Sequence, residues 1–155
     1  MRRKDRERTA AFAWEVLEKA DYATVSMVTS EGLPYGVPVN LAVDRASGVL
    51  YFHCAGAGEK WEILSGEPAV CVSAVSYMAV VPGELTVNYD SAVVHGRAQV
   101  VDEEAEKEKA LLLLTASLDK TAVDDLKVRL MSCYEQVKIV KIVPDSVTGK
   151  QNSMR

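Results

Sequence analysis

Histidine occurs only twice in the 155 residues and cysteine three times, and neither falls into a catalytic or metal-binding spacing. Cys54, Cys71 and Cys133 are an odd count without redox or metal-ligand intervals, as expected of a reduced, cytoplasmic protein. A zinc site built from His53, Cys54, Cys71 and His95 has no supporting spacing. No Ser-His-Asp or Cys-His arrangement has supporting motif context, so hydrolysis by a triad is not proposed. No apolar run approaches the ~20 residues of a membrane span. The stretch Ala10 to Trp14 is broken by Glu15 before it reaches the length of a secretory core. A basic excess is missing too: the net charge of -4 argues against general nucleic-acid binding.

What is present is ordinary for a soluble globular chain, with 48% hydrophobic and 26% charged residues, and the length suits one domain with a real core. The first eight residues hold five basic and two acidic side chains. Such a run reads as a solvated arm leading into a helix, or as an arm that grips an anionic partner. Thr9 can cap a helix from Ala10 to about Ala20, with Phe12, Ala13, Val16, Leu17 and Ala20 on one face.

Beyond this helix the period changes to that of strands. Tyr22 to Thr29, Pro34 to Val43 and Val49 to Cys54 are separated by turn signals at Ser30-Glu31-Gly32 and Asp44 to Gly48, which predicts an antiparallel meander. A short helix is expected over Glu59 to Leu64. Strands follow at Ala69 to Ser76 and Ser91 to Val101, with Gly96 as a bulge or close-approach point. Tyr77 to Val87 contains Pro82-Gly83 and is ambiguous. Asp102 is placed to cap a helix with Glu103 pairing Lys107, and Leu111 to Leu114 suggests a buried end. Thr121 to Asp124 resembles a capping box opening another helix along Val123, Leu126, Leu130 and Cys133. Glu135 to Val143 reads as the last strand, and 145–155 as a loose tail. The expectation is a single domain over 1–155, mainly β: a six-stranded, mostly antiparallel small barrel with peripheral helices.

One stretch stands out chemically. Val49 to Phe52 runs into His53-Cys54-Ala55-Gly56-Ala57-Gly58, then Lys60 and the amphipathic Trp61-Glu62-Ile63-Leu64. Strand, glycine loop, cation and helix start are the parts of a phosphate cradle, because glycine lets the backbone approach an anion and helix-start N–H groups add positive charge. It is no Walker loop, since Trp61 follows Lys60, and it lacks the third glycine of a dinucleotide fingerprint. By itself it also reads as a flexible connector.

Five segments carry a resemblance: Met1 to Arg6, Pro34 to Asn40, Leu50 to Ala55 with Gly58 and Lys60, Val93 to Ala98, and Val147 to Lys150. In this order they resemble the flavin-binding split barrels related to pyridoxamine-phosphate oxidase, and within that group the nitroimidazole-resistance (NimA-type) flavoproteins. The resemblance implies a split β-barrel homodimer with FMN at the subunit interface. Val37, Pro38, Val39 and Asn40 would lie against the flavin ring. Phe52, His53 and Cys54 would flank its ribityl–phosphate segment, Lys60 would meet the phosphate, and Ser91 would place a polar group on the flavin. Family oxidases carry an Arg-Lys pair where this chain has Glu59-Lys60, and their Arg- and His-rich C-terminal substrate segment is not apparent, which argues against vitamin B6 oxidation.

The function so implied is a flavin-dependent oxidoreductase taking electrons from NADH, NADPH or another reductant to a nitroimidazole-like or other electron-poor acceptor. The implied product of a nitro drug is the amine. His53 is the candidate proton donor. A non-catalytic flavin- or haem-binding sensor or carrier is the alternative, and a barrel without cofactor is the plainest reading. His95 inside an apolar strand is expected to be a satisfied structural histidine, Cys54 a buried inert thiol, and Trp61 a core or interface anchor rather than a flavin-stacking ring.

Overall fold

Thr9 opens the first helix as its side chain demands: Thr9 Oγ1 accepts a hydrogen bond from Phe12 N at 3.2 Å. A computed structural model describes residues 2–118 and 136–153 of the chain. A 3₁₀ turn at Lys4–Arg6 and strand β1 (Glu7–Arg8) precede that helix, α1 (Ala10–Lys19). Then come β2 (Ala23–Val28), β3 (Pro34–Val39), β4 (Ala42–Asp44), β5 (Val49–Ala55), α2 (Glu59–Leu64), β6 (Ala69–Val81), β7 (Thr86–Val100), α3 (Glu104–Leu118) and β8 (Val137–Asn152). The capping box at Thr121 and its helix lie outside the described residues.

All strand pairs are antiparallel, in the order β3-β2-β6-β7-β8-β5-β4, with β1 added to β8. The two ends of this path, β3 and β4, are joined by only Asn40 and Leu41. The sheet must therefore curl until its ends nearly meet, and it stays unpaired between them: a split β-barrel. The mainly β, antiparallel expectation holds, with eight strands among the described residues where six were expected.

Two expectations, the single return strand and the loose tail, are corrected, and two further stretches gain a definite place. Pro34 to Val43 is not one return strand; it breaks at Asn40-Leu41, and its halves occupy opposite ends of the sheet path, so the meander is not contiguous. The ambiguous Tyr77 to Val87 stretch is the long β6–β7 hairpin, turning at Pro82-Gly83. The tail is ordered as far as Asn152, because Val147 and Gly149 turn inward while Thr148 and Lys150 continue the ladder to β7. The basic arm is likewise tied down, with Glu7 and Arg8 paired to Lys150 and Gly149.

Two apolar clusters divide the faces. Inside the barrel, Leu17, Val25, Leu50, Phe52, Val72, Val94 and Ile142 pack with α1. Outside it, Ala110, Leu111 and Leu114 of α3 cover Ala42, Val49, Tyr51 and Ile139. Burying a side chain of this size contributes about 1.5–3 kcal/mol, so α3 is bound by its leucines. Its cap is Glu103 rather than Asp102: the Glu103 carboxylate accepts from Ala105 N and Glu106 N, at 3.0 and 2.6 Å. Gly96 is both things expected of it. The β7–β8 register slips between His95 and Gly96, and a Cβ there would run into the Val143 carbonyl oxygen.

Candidate functional site

Strand alternation sorts the residues of β5. Leu50, Phe52 and Cys54 point into the barrel, whereas Val49, Tyr51 and His53 point outward. Helix α3 covers Val49 and Tyr51 but leaves His53 exposed. Phe52, His53 and Cys54 therefore cannot present three side chains to one ligand. Phe52 is fully buried, and what this stretch can offer outward is the His53 imidazole and the backbone.

After Ala55 the chain turns through Gly56-Ala57-Gly58 into α2. Gly58 is the residue before the helix and takes φ 90°, a conformation that disfavours any side chain. Lys60 lies in the first turn of α2, half-buried. A second lysine joins it. Lys138, opposite Cys54 in the β5–β8 ladder, lays its methylene stem over Gly56 and brings its Nζ to 5.9 Å from the Trp61 ring centre. Trp61 itself is partly buried against the barrel core, which fits the anchor role. Burial pushes the Cys54 thiol above its usual pKa, against the opposing pull of Lys60 and Lys138. Lys60 at the start of α2 and Lys138 over Gly56 thus flank one strand-to-helix loop.

The β3 segment supplies an edge. Its inner side pairs with β2, Val37 opposite Val25 and Val39 opposite Ala23, and its outer side ends the sheet path. Val37 is half-buried, Val39 is buried, and Pro38 and Asn40 are exposed. Asn40 Nδ2 donates to the Asp21 carbonyl at 2.9 Å, fixing the corner where the chain leaves for β4. Because Ala42 then sits opposite Tyr51, the end of β3 arrives at the same end of the barrel as His53. Ser91 does not join this group. The row Val39, Ala23, Ala74, Ala92 places it about three strand spacings away, roughly 14 Å at ~4.8 Å each. Its hydroxyl donates to the Lys150 carbonyl at 3.2 Å, and it shares an outward face with its exposed neighbour Val75.

Several residues were not visible as partners in the sequence. Lys138 is separated from the loop by about eighty residues, and strand alternation marked it only as a solvent-facing position. Beneath α3, Tyr51 donates to Glu106 Oε1 at 2.8 Å while Lys141 reaches both Glu106 oxygens at 3.0 and 3.1 Å. Burial and the Glu106 charge push the Tyr51 phenol well above its usual pKa, so it stays a donor. Lys109 closes the other side onto Asp44, a buried carboxylate. His95 is not a satisfied core histidine: it faces outward and is exposed, opposite Cys71 and Ser146. Among the described residues no cluster of His, Cys, Asp and Glu is placed to hold a metal, and no helix is long and apolar enough to cross a membrane.

Residues 9–151, nearly the whole barrel with its loop, match the family described as pyridoxamine 5′-phosphate oxidase. The chain belongs to that family. Solved structures share its fold. A provisional 5-nitroimidazole antibiotic resistance protein from Bacteroides thetaiotaomicron is 25% identical, with TM-score 0.70, over 88% of this chain and 80% of that one. The FAD and heme binding protein from Mycobacterium smegmatis aligns with TM-score 0.82 at 17% identity, over 96% of this chain and 74% of that one. The flavocytochrome Anf3 from Azotobacter vinelandii aligns with TM-score 0.74 at 16% identity, over 99% and 72%. No curated protein sequence matches.

Proposed function

We propose that this protein binds flavin mononucleotide and uses it to pass electrons from a reduced donor, such as a reduced nicotinamide, to electron-poor small molecules, nitroimidazoles among them. The observation that carries the reading is the pair of lysines, Lys60 and Lys138, around the Gly56–Gly58 loop of a family split barrel. A phosphate monoester bears nearly two negative charges, and two ammonium groups beside a small-residue loop match it. In this reading Lys138 would supply the second cation that the resemblance assigns to an arginine before the loop lysine. The edge of β3, Val37 to Asn40, offers a flat apolar wall with backbone groups turned away from β2, suited to a planar ring with polar rims.

Flavin mononucleotide, when bound, supplies the electron transfer; the protein holds and orients it. His53 stands exposed at the same end of the barrel as β3 and carries the one titratable imidazole near the loop, so it is the residue to hand a proton to the acceptor. Ser91 lies too far across the sheet to serve the same site within one chain. It sits beside an outward strip of exposed apolar side chains, Tyr22, Val75, Tyr77 and Met78. A second copy covering that strip would explain its exposure and bring Ser91 of the partner subunit to the flavin, giving a homodimer with the cofactor at its interface.

An absorption spectrum of the purified protein with added FMN, reduced under nitrogen and then mixed with a nitroimidazole, tests the reading. A flavin band that bleaches and returns supports it; protein that ignores FMN sinks it. Flavin that binds and is reduced, yet is not reoxidised by acceptors, would point to the second reading. That reading is a non-catalytic carrier or sensor of flavin or haem, in a fold shared with a protein named for binding FAD and heme.

A further inference from the structure

The end of β8 farthest from the glycine loop carries a second concave surface. It is a groove of about 650 Å³ between the β6–β7 hairpin and the N-terminal 3₁₀ turn, within the range of about 300–1,000 Å³ typical of small-molecule sites. Val80, Pro82, Leu85 and Val87 form its apolar wall, and Arg6 and Tyr89 its polar end. Behind the ring, Lys150 Nζ lies 5.6 Å from the Tyr89 centroid.

No close ion pair joins Arg6 or Lys150 to an acid among the described residues: two nearby carboxylates pair with other cations and a third takes an amide donor. Asp5 binds Arg3 at 2.6 Å, Glu7 binds Lys4 at 2.8 Å, and Asp90 accepts from Gln151 at 2.8 Å. The frame is rigid. Arg8 donates to Gln151 at 3.0 Å, and β1 is laddered to Lys150 and Gly149, so Arg6 is held over the groove. Burial alone would raise the Tyr89 phenol, yet hydrogen bonds and charge from Lys150 and Arg6 bring it below its usual pKa. A group that feels two cations so strongly marks where an anion would be welcome. At the rim, Leu85 is fully exposed and adopts φ 47°, a left-handed conformation that a leucine rarely takes.

We propose that this groove binds a small organic carboxylate with an apolar body, its charged end held by Arg6 and the Tyr89 hydroxyl, its body by Val80, Leu85 and Val87. The Arg6 guanidinium at one end and an apolar wall at the other select this chemistry over a free inorganic anion or an amine. The groove shares no residue with the Gly56–Gly58 loop, although Tyr89 lies two residues from Ser91, and its test does not depend on flavin binding.

Calorimetric titration of the full chain with phenylbutyrate, acetate and phenylbutylamine tests it. Phenylbutyrate should bind, acetate at least about tenfold more weakly, and the amine not measurably; Arg6→Gln and Leu85→Ser should each weaken phenylbutyrate about tenfold. Saturating phenylbutyrate should also move the Tyr89 tyrosinate titration to higher pH, because it neutralises Arg6, and Tyr89→Phe should abolish that movement. If Arg6→Gln fails to fold by circular dichroism, the exposed Leu85→Ser variant and the tyrosinate readout decide. Equal binding of the amine, no binding of phenylbutyrate, or unchanged affinity in both variants overturns the proposal. So does a Leu85→Ser variant that turns a dimer into a monomer in sedimentation while phenylbutyrate affinity stays the same, because the groove would then belong to a second copy.

Discussion

Lys138 lies across Gly56 so closely that a Cβ on the glycine would stand 3.1 Å from the lysine Cε. The glycine therefore does more than let the loop turn: it leaves room for a side chain from a distant strand to reach the loop. Lys60→Ala and Lys138→Ala are each expected to weaken FMN binding about tenfold, about 1.4 kcal/mol, and Gly56→Val to act in the same direction by displacing Lys138. Quenching of flavin fluorescence measures this. Unchanged affinity in both lysine variants would remove the phosphate model.

His53 is exposed and packs against neither core cluster. Its replacement by alanine should leave stability within about 0.5 kcal/mol of the parent, as surface changes usually do. Turnover of a nitro acceptor should fall by about a hundredfold if the imidazole delivers the proton. Full turnover in a folded His53→Ala protein would dismiss that role.

Asp44 and Glu106 make the fold acid-sensitive. The Lys109 hydrogen bond leads the interactions that hold the Asp44 carboxyl below its ordinary pKa. For Glu106 burial pushes up, but Tyr51 and Lys141 outweigh it. Both folded-state pKa values are depressed, so the stability they contribute is full above the unfolded carboxylate value of about 4. It is lost as pH falls through the folded values. The melting temperature should stay level from about pH 7 to 5 and fall below about pH 4. Asp44→Asn should flatten part of that decline and cost about 1–2 kcal/mol at neutral pH, read by denaturant unfolding at both ends of the range.

Gly96→Ala should destabilise by about 2–3 kcal/mol, because the new methyl runs into the backbone of β8, the Val143 carbonyl and Pro144 Cα at 3.0 Å. Neither can swing away as a side chain would. A denaturation midpoint equal to the parent's would mean that β8 can shift at its bulge.

Much of the barrel could be read directly because its local signals agree with its packing. Thr9 caps α1 and the apolar face that follows is buried; the Glu59 to Leu64 helix and the Asp44 to Gly48 turn stand where their residues place them. What stayed hidden depends on distant partners. Nothing local separates Val39 from Ala42, since the break between them exists only because their strands close opposite ends of the sheet path. Val147 to Asn152 looks like tail because its outward positions are polar, and its pairing to β7 cannot be seen from within the segment. The loop with Lys60 was legible as a phosphate cradle, whereas Lys138 was not, since only the β5–β8 register brings it there. Alternation also separates Phe52 and Cys54 from His53, a division that listing neighbours in sequence obscures.

Strand β8 lies between β7 and β5 and also carries β1, so the last strand in chain order holds the middle of the sheet. Until it is made, β3-β2-β6-β7 and β5-β4 are separate pieces with raw edges facing each other across a gap. A nascent chain emerging from the ribosome thus cannot complete its barrel until residues up to Asn152 are clear of the exit tunnel. It must wait for these sequence-distant pairings with its edges open to chaperones. Products of interrupted translation would lack the central strand and be cleared as unfolded chains, so the topology acts as a check that synthesis has passed this point.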